Sequence, residues 1–205
     1  MINMLPSAIP EHIALDHPDG IALRRARATD AVQLARAVAG SKAHLLPWMP
    51  WADGDESSDP AFQAQRLADG EAAWARGDEF NYLLVSNHAV ARDKTAPDPM
   101  FGGRVLGACG LMTRRGPRTL EIGYWTHAAV GGRGYARALA KSLTDIAVRM
   151  PNVDEVFIVC DAANVRSAAI PRALGYFLRS VRSRELTAPG EAGQEMLWVM
   201  AAGNR

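Results

Sequence analysis

Cysteine is scarce: Cys109 and Cys160 are the only two in 205 residues. Neither belongs to a CxxC pair and both sit in apolar runs, so they read as buried free thiols. The five histidines are scattered, with no two at ligand spacing on a common element, so no metal site is expected. Neither sign of charge is in excess. A formal net charge of +1 argues against a nucleic-acid partner. No apolar run approaches the roughly 18 residues that span a bilayer, so no membrane partner is expected. Residues 1–19 carry neither a basic n-region nor an apolar h-region. No signal peptide is therefore expected, and a cytoplasmic location follows by default. Internal repeats and low-complexity tracts are absent too.

What is present is the composition of an ordinary globular protein, 48% hydrophobic and 22% charged, at a length that supports one full core. Residues 1–20, with Pro6, Pro10 and Pro18, read as an arm with a short strand at its centre. The spacing then predicts a strand over Ile21–Ala28. A helix capped by Thr29 or Asp30 runs to about Ala43, with Val32, Leu34, Ala35 and Val38 inward. A second helix from Pro60 to Arg76 ends at Gly77, with Phe62, Leu67 and Trp74 facing the core. Phe80–Ser86, Val105–Thr113 and Leu120–Trp125 read as an antiparallel meander, with a polar, mobile connection over Asn87–Pro99. Gly107 and Gly110 signal a bulge or a close approach. An amphipathic helix over Arg133–Met150 leads to Val156–Cys160, an apolar run suited to burial on both faces. A short helix over Val165–Leu174, kinked by Pro171, and two strands, Tyr176–Ser183 and Met196–Ala201, complete the chain.

Three constellations carry chemistry. Gly131, Gly132 and Gly134, followed by Tyr135, Ala136 and Arg137, bring open backbone to a helix N-terminus, which favours a pyrophosphate. A glycine turn with no ligand is the plain alternative. The turn lacks Gly-Lys-Ser/Thr, so it is not a Walker loop, and Arg137 stands where a dinucleotide fingerprint needs glycine. Leu46-Pro-Trp48-Met-Pro-Trp51 cannot be regular helix or central strand. It is either an aromatic plug at the core edge or the wall of a substrate groove. Finally, Glu121 in its strand and Asn164 with Ser167 at the next helix start offer a carboxylate and a hydroxyl. The plain readings there are a solvated carboxylate, an N-cap and a surface hydroxyl. No Gly-x-Ser-x-Gly elbow supports a covalent acyl-enzyme.

The order of elements, together with Leu46–Trp51, Glu121-Ile-Gly-Tyr-Trp125, Gly132-Arg133-Gly134-Tyr135-Ala136 and Asn164-Val-Arg-Ser167 continuing to Tyr176, resembles the GNAT superfamily of N-acetyltransferases, and within it the RimJ/RimL-like branch that acetylates protein N-termini. The resemblance covers nearly the whole chain from Ile21. It implies an α/β (α+β) fold over residues 21–205, with a single mixed, mostly antiparallel sheet, a central splayed parallel strand pair and flanking helices. It implies acetyl-CoA, with the pyrophosphate on the backbone of 131–137 and the pantetheine arm entering the splay beside Gly123, Tyr124, Trp125, Asn164 and Ser167. Backbone N–H groups near Gly123–Trp125 would polarise the thioester carbonyl. Glu121 matches the family's general base and Ser167 the donor to the departing thiolate. Trp48 and Trp51, with Glu121, would meet the acceptor amine. Gly131 departs from the family's usual Gln or Arg, and Arg133 is the residue that would compensate. The acceptor favoured by the resemblance is a protein or peptide N-terminus. A small amine (antibiotic, polyamine or amino acid), succinyl-CoA as donor, a non-catalytic CoA-binding protein and a homodimer stay open.

Overall fold

A computed structural model of the chain describes residues 9–86, 104–116 and 118–203. The expected connection Asn87–Pro99 lies outside them. Eight strands form one sheet: β1 His12–Ala14, β2 Ile21–Arg25, β3 Glu79–Ser86, β4 Val105–Met112, β5 Thr119–Thr126, β6 Glu155–Asp161, β7 Phe177–Ser183 and β8 Gln194–Ala201. Their order is β1-β2-β3-β4-β5-β6-β8-β7. Among the described residues only β5 and β6 pair in parallel. The helices are α1 Ala31–Ala39, α2 Lys42–Leu45, α3 Pro60–Arg76, α4 Tyr135–Ala147 and α5 Val165–Ala173.

Hydrophobic period decides which helix covers which face. Leu139, Ala140, Leu143 and Ala147 recur at three- and four-residue steps and are each 0% exposed. That stripe lies in one cluster with Leu120 and Ile122 of β5 and Val156 and Ile158 of β6. Truncating Leu143 to Ala there would cost roughly 2–5 kcal/mol. On the other face Leu34 and Val38 of α1 and Leu67 of α3 pack with Leu83 and Val105. Leu83 alternates along β3 with Tyr82 and Leu84, which belong to the first cluster, so the sheet is covered on both sides.

The parallel ladder is short. It pairs Thr119, Leu120 and Glu121 with Glu155, Val156 and Phe157 and stops there. Yet β5 continues to Thr126 against β4, and β6 continues to Asp161 against β8. The two central strands are thus held by their outer neighbours while their inner edges part.

Several element details differ from expectation. β2 ends at Arg25, because Ala28–Asp30 forms a single 3-10 turn. Asp30 does not cap α1. Its carboxylate turns back to the Arg24 guanidinium at 2.6 and 2.7 Å and to the Arg27 N–H at 2.9 Å. The first helix stops at Ala39 and α2 follows as a separate turn. Val32 and Phe62 are exposed, whereas Gln63 is fully buried because its amide donates to the Ser57 carbonyl at 2.6 Å. α4 starts at Tyr135, since Gly134 holds φ 83° and lies outside helical space. α5 ends at Ala173, one residue short of the expected Leu174, with Pro171 inside it as the sequence places it. Cys109 is buried, but Cys160 is half-buried, because β6 has no β5 neighbour at that height.

Candidate active site

Where β5 and β6 part, a cleft of about 880 Å³ opens through the sheet. It brings together Trp48, Trp51, Glu121, Gly123, Tyr124, Trp125, Asn164 and Ser167. The strand alternation sends Glu121, Gly123 and Trp125 to one face and Tyr124 to the other, so the cleft is reached from both. Glu121 is the last residue of the parallel ladder, and its side chain is 13% exposed. The Arg115 guanidinium pairs with it directly and Arg114 stands 3.5 Å away. Arg115 also lies 3.8 Å from Glu195 on β8, so it spans the cleft from the β4–β5 turn. An approaching ammonium meets a carboxylate that already has two cationic partners.

Opposite, Asn164 caps α5: its Oδ1 accepts the Ser167 N–H at 3.1 Å. The cap fixes the first turn of the helix and with it the Ser167 hydroxyl, whose Oγ lies 3.4 Å from the Tyr124 Oη. Burial pushes the Tyr124 phenol well above its ordinary value, with the Ser167 contact pulling weakly the other way. Both hydroxyls therefore remain protonated donors at neutral pH. Burial also pushes the Cys160 thiol up, against a lowering hydrogen bond from Ser167. Tyr176 is a packing residue, as its position after Gly175 suggests; it is 5% exposed, with its hydroxyl 2.7 Å from that of Thr144.

The aromatic segment forms a wall of the cleft. The Trp51 ring lies 6.2 Å from that of Trp125, and the Arg66 guanidinium sits 5.7 Å from the Trp51 centroid. A second wall, which sequence reasoning treated only as a connection, is the loop 184–193 between β7 and β8. Gly190 donates its N–H to the Pro47 carbonyl at 2.8 Å, and a Cβ at Gly190 would lie 2.6 Å from that oxygen. Glu191, with its side chain 3% exposed, pairs with Arg184 and accepts the Thr187 N–H at 2.8 Å. Asp161, 4% exposed at the end of β6, ties both strand ends together. Its carboxylate accepts the N–H groups of Ala163 at 2.9 Å, Ala192 at 2.9 Å and Gln194 at 3.1 Å. Burial alone would raise its pKa, but the three N–H donors and nearby Arg184 outweigh it and hold the carboxyl below the usual range. No local motif announces these contacts. The one cue, Pro189-Gly190, marks a turn and not its partner.

The glycine turn stands apart from the cleft lining. Residues 131–134 are exposed between the end of β5 and α4. Gly132 and Gly134 hold φ 81° and 83°, the left-handed region that side chains disfavour. Gly131 does not; its φ of −57° suits any residue, so glycine there is no conformational need. Around Gly132 an added Cβ would meet nothing within 4 Å. The first bond into α4 is Ala138 N–H to the Gly134 carbonyl, so the N–H groups of Tyr135, Ala136 and Arg137 have no intrahelical acceptor. An open, glycine-lined set of outward N–H groups fits a diphosphate, and the parted strands fit an extended arm carrying amides. Arg133 and Arg137 are exposed here and add cationic charge.

A model of the GNAT acetyltransferase domain matches residues 21–176. No curated protein matches the sequence. Among solved structures, the ribosomal-protein-S5-alanine acetyltransferase of Vibrio fischeri superposes with TM-score 0.78 at 18% identity, covering 94% of this chain and 98% of its own. RimJ of Mycobacterium smegmatis, in complex with CoA-disulfide, gives TM-score 0.78 at 19% identity, with 95% and 89% covered. RimL, the ribosomal L7/L12 α-N-protein acetyltransferase in complex with coenzyme A, gives 0.73 at 17%, with 88% and 93% covered. At such identities the likeness speaks for the fold.

Proposed function

The chain belongs to the GNAT acetyltransferase family, and from that premise we propose that it transfers acetyl from acetyl-CoA to a primary amine, with a peptide or protein N-terminal α-amine favoured. The observation that carries the reading is the cleft between the parted strands, with a carboxylate at its closed end and a hydroxyl pair across from it.

Acetyl-CoA supplies the thioester: a C–N bond forms to the amine as the C–S bond breaks. The turn at 131–137 holds the diphosphate through backbone N–H groups, and Asn164 and the inner edge of β5 orient the arm. Alternate N–H groups over Gly123–Trp125 face the gap left by β6 and polarise the carbonyl. Glu121 takes a proton from the amine through water. Ser167, beside Tyr124, gives a proton to the leaving sulfur. A carboxylate acting through water suits the acceptor proposed. An α-amine with pKa about 8 is already partly neutral at pH 7, whereas lysine at ~10.4 needs more than two further units of help. Trp48 and Trp51 supply the apolar wall on the acceptor side.

The test is an acceptor screen read by thiol release, spanning N-terminal peptides, amino acids, polyamines and aminoglycosides, with acetyl- and succinyl-CoA as donors. N-terminal peptides should turn over fastest. Preference for a small amine would move the reading to a detoxifying or metabolic acetyltransferase. CoA binding without turnover on any amine would move it to a non-catalytic role. With the acceptor in hand, Glu121→Gln and Ser167→Ala should each lower kcat at least tenfold with little change in acetyl-CoA affinity. Wild-type kcat in both would sink the residue assignment.

A further inference from the structure

The β1–β2 turn lies outside the matched domain, which begins at Ile21, yet it packs directly on the glycine turn. His17 Nε2 is 2.8 Å from the Arg133 carbonyl oxygen, and its Nδ1 is 3.2 Å from the Asp19 backbone N. Together these contacts fix the tautomer. A carbonyl only accepts, so Nε2 carries the hydrogen; a backbone N–H only donates, so Nδ1 is the bare acceptor. The ring is 13% exposed and stands edge-on to Tyr135 with centroids 4.9 Å apart. The Tyr135 hydroxyl in turn donates to the Asp19 carboxylate at 2.8 Å. The His17–Asp19 turn is thus fastened to the first residue of α4 and to the peptide just before it.

We propose that His17 is a positioning residue for the coenzyme site: by holding the Arg133 carbonyl, it aims the Gly134 N–H at the diphosphate. The physical reason is the peptide plane. In a trans peptide the C=O and the following N–H point in opposite directions, and no cis bond is present among the described residues. With the Arg133 oxygen pulled toward His17, the Gly134 hydrogen faces away from it. Gly134 at φ 83° has no Cβ and no neighbouring ladder to hold that plane, so the peptide can rotate unless something fixes it. The ring reaches within 3.7 Å of where a Gly134 Cβ would stand, so it also closes the space behind the turn. The inference rests on the proposal that the turn binds the diphosphate of acetyl-CoA.

The test compares His17→Phe, which keeps a ring against Tyr135 but has no donor, with His17→Gln, whose amide can still donate to Arg133. Affinity for CoA is measured by calorimetry, and affinity for pantetheine, which lacks the diphosphate, by ligand-observed NMR. The expected result is CoA affinity about tenfold weaker in the Phe variant, pantetheine affinity unchanged, and CoA affinity in the Gln variant within about threefold of wild type. Equal loss of both ligands would make His17 a general packing residue and overturn the proposal, as would unchanged CoA affinity in the Phe variant or no rescue by Gln. If the Phe variant does not fold, His17→Asn, whose amide is too short to reach Arg133, takes its place with the same expectation. Wild-type protein that binds no CoA would overturn the diphosphate reading itself, and the role of His17 with it.

Discussion

Asp161→Asn separates the architecture of the cleft from its chemistry. In the wild type one carboxylate oxygen accepts from Ala163 and Ala192 and the other from Gln194, all within 3.1 Å. Asparagine keeps the first pair by its carbonyl, but its amide nitrogen then faces the Gln194 N–H, donor against donor. One charge-assisted bond is lost, the other two become neutral, and a half-buried N–H is left without an acceptor. The sum is a destabilisation of about 2–3 kcal/mol. For a domain of this size that lowers Tm by roughly 5–10 °C. The pH dependence carries its own sign. Because the folded-state pKa lies below the ordinary carboxylate value, the stabilisation is fully present above about pH 4. It is lost as the pH falls through the depressed value, when wild-type Asp161 also becomes neutral. Urea midpoints for the two proteins should therefore differ at pH 7 and draw together progressively as the pH falls below about 4. Since Ala192 and Gln194 end the loop that leans on Pro47, KM for the acceptor should rise severalfold while CoA affinity stays within twofold. Equal midpoints at pH 7, or a gap that does not narrow in acid, would refute the account of Asp161.

Three further outcomes follow from the cleft. Cys160 should alkylate slowly, at a rate still rising above pH 9 because burial raises its pKa, and CoA should protect it at least fivefold; mass-spectrometric labelling with and without CoA reads this out. Tyr124→Phe, which removes the hydroxyl 3.4 Å from Ser167, should lower kcat about two- to fivefold, less than Ser167→Ala, in steady-state assays. Gly190→Val sets a Cβ 2.6 Å from the Pro47 oxygen, so the loop must lift; acceptor KM should rise while CoA binding by calorimetry is unchanged.

Local signals served well where local physics decides. Asp59-Pro60 and Gly77 bound α3: Asp59 accepts the Ala61 N–H and Gly77 takes the left-handed φ of 78°. The apolar run of β6 is buried in its first half on both faces, as its pattern implies. The inward stripe of α4 and the meander of β3, β4 and β5 are equally legible, and Gly107 does mark a close approach, with an added Cβ 2.3 Å from the Trp125 carbonyl. The phase of a helix is harder to read. Phe62 and Gln63 are adjacent, and it is the Ser57 carbonyl in the preceding turn that makes the amide the buried one. The candidate site shows the same division. Glu121, Asn164 and Ser167 sit on elements whose type is readable, so their convergence on one cleft follows from the crossover. Arg115 reaching Glu195 across the cleft, Asp161 under the second wall and His17 behind the glycine turn act across long sequence separations. Only the folded chain brings them together.

The three-pair ladder between β5 and β6 has a consequence for stability as well as for the site. Beyond it, two strands carry backbone donors and acceptors along facing inner edges, in the middle of a sheet that is otherwise continuous. In the proposed binding mode an extended ligand with its own amides would complete that pattern as a short extra strand does, and coenzyme would then stabilise the fold as well as react. Binding at 100 times Kd adds about 2.7 kcal/mol to the native state. The cell's coenzyme level would then set how firmly the two halves of the sheet are joined.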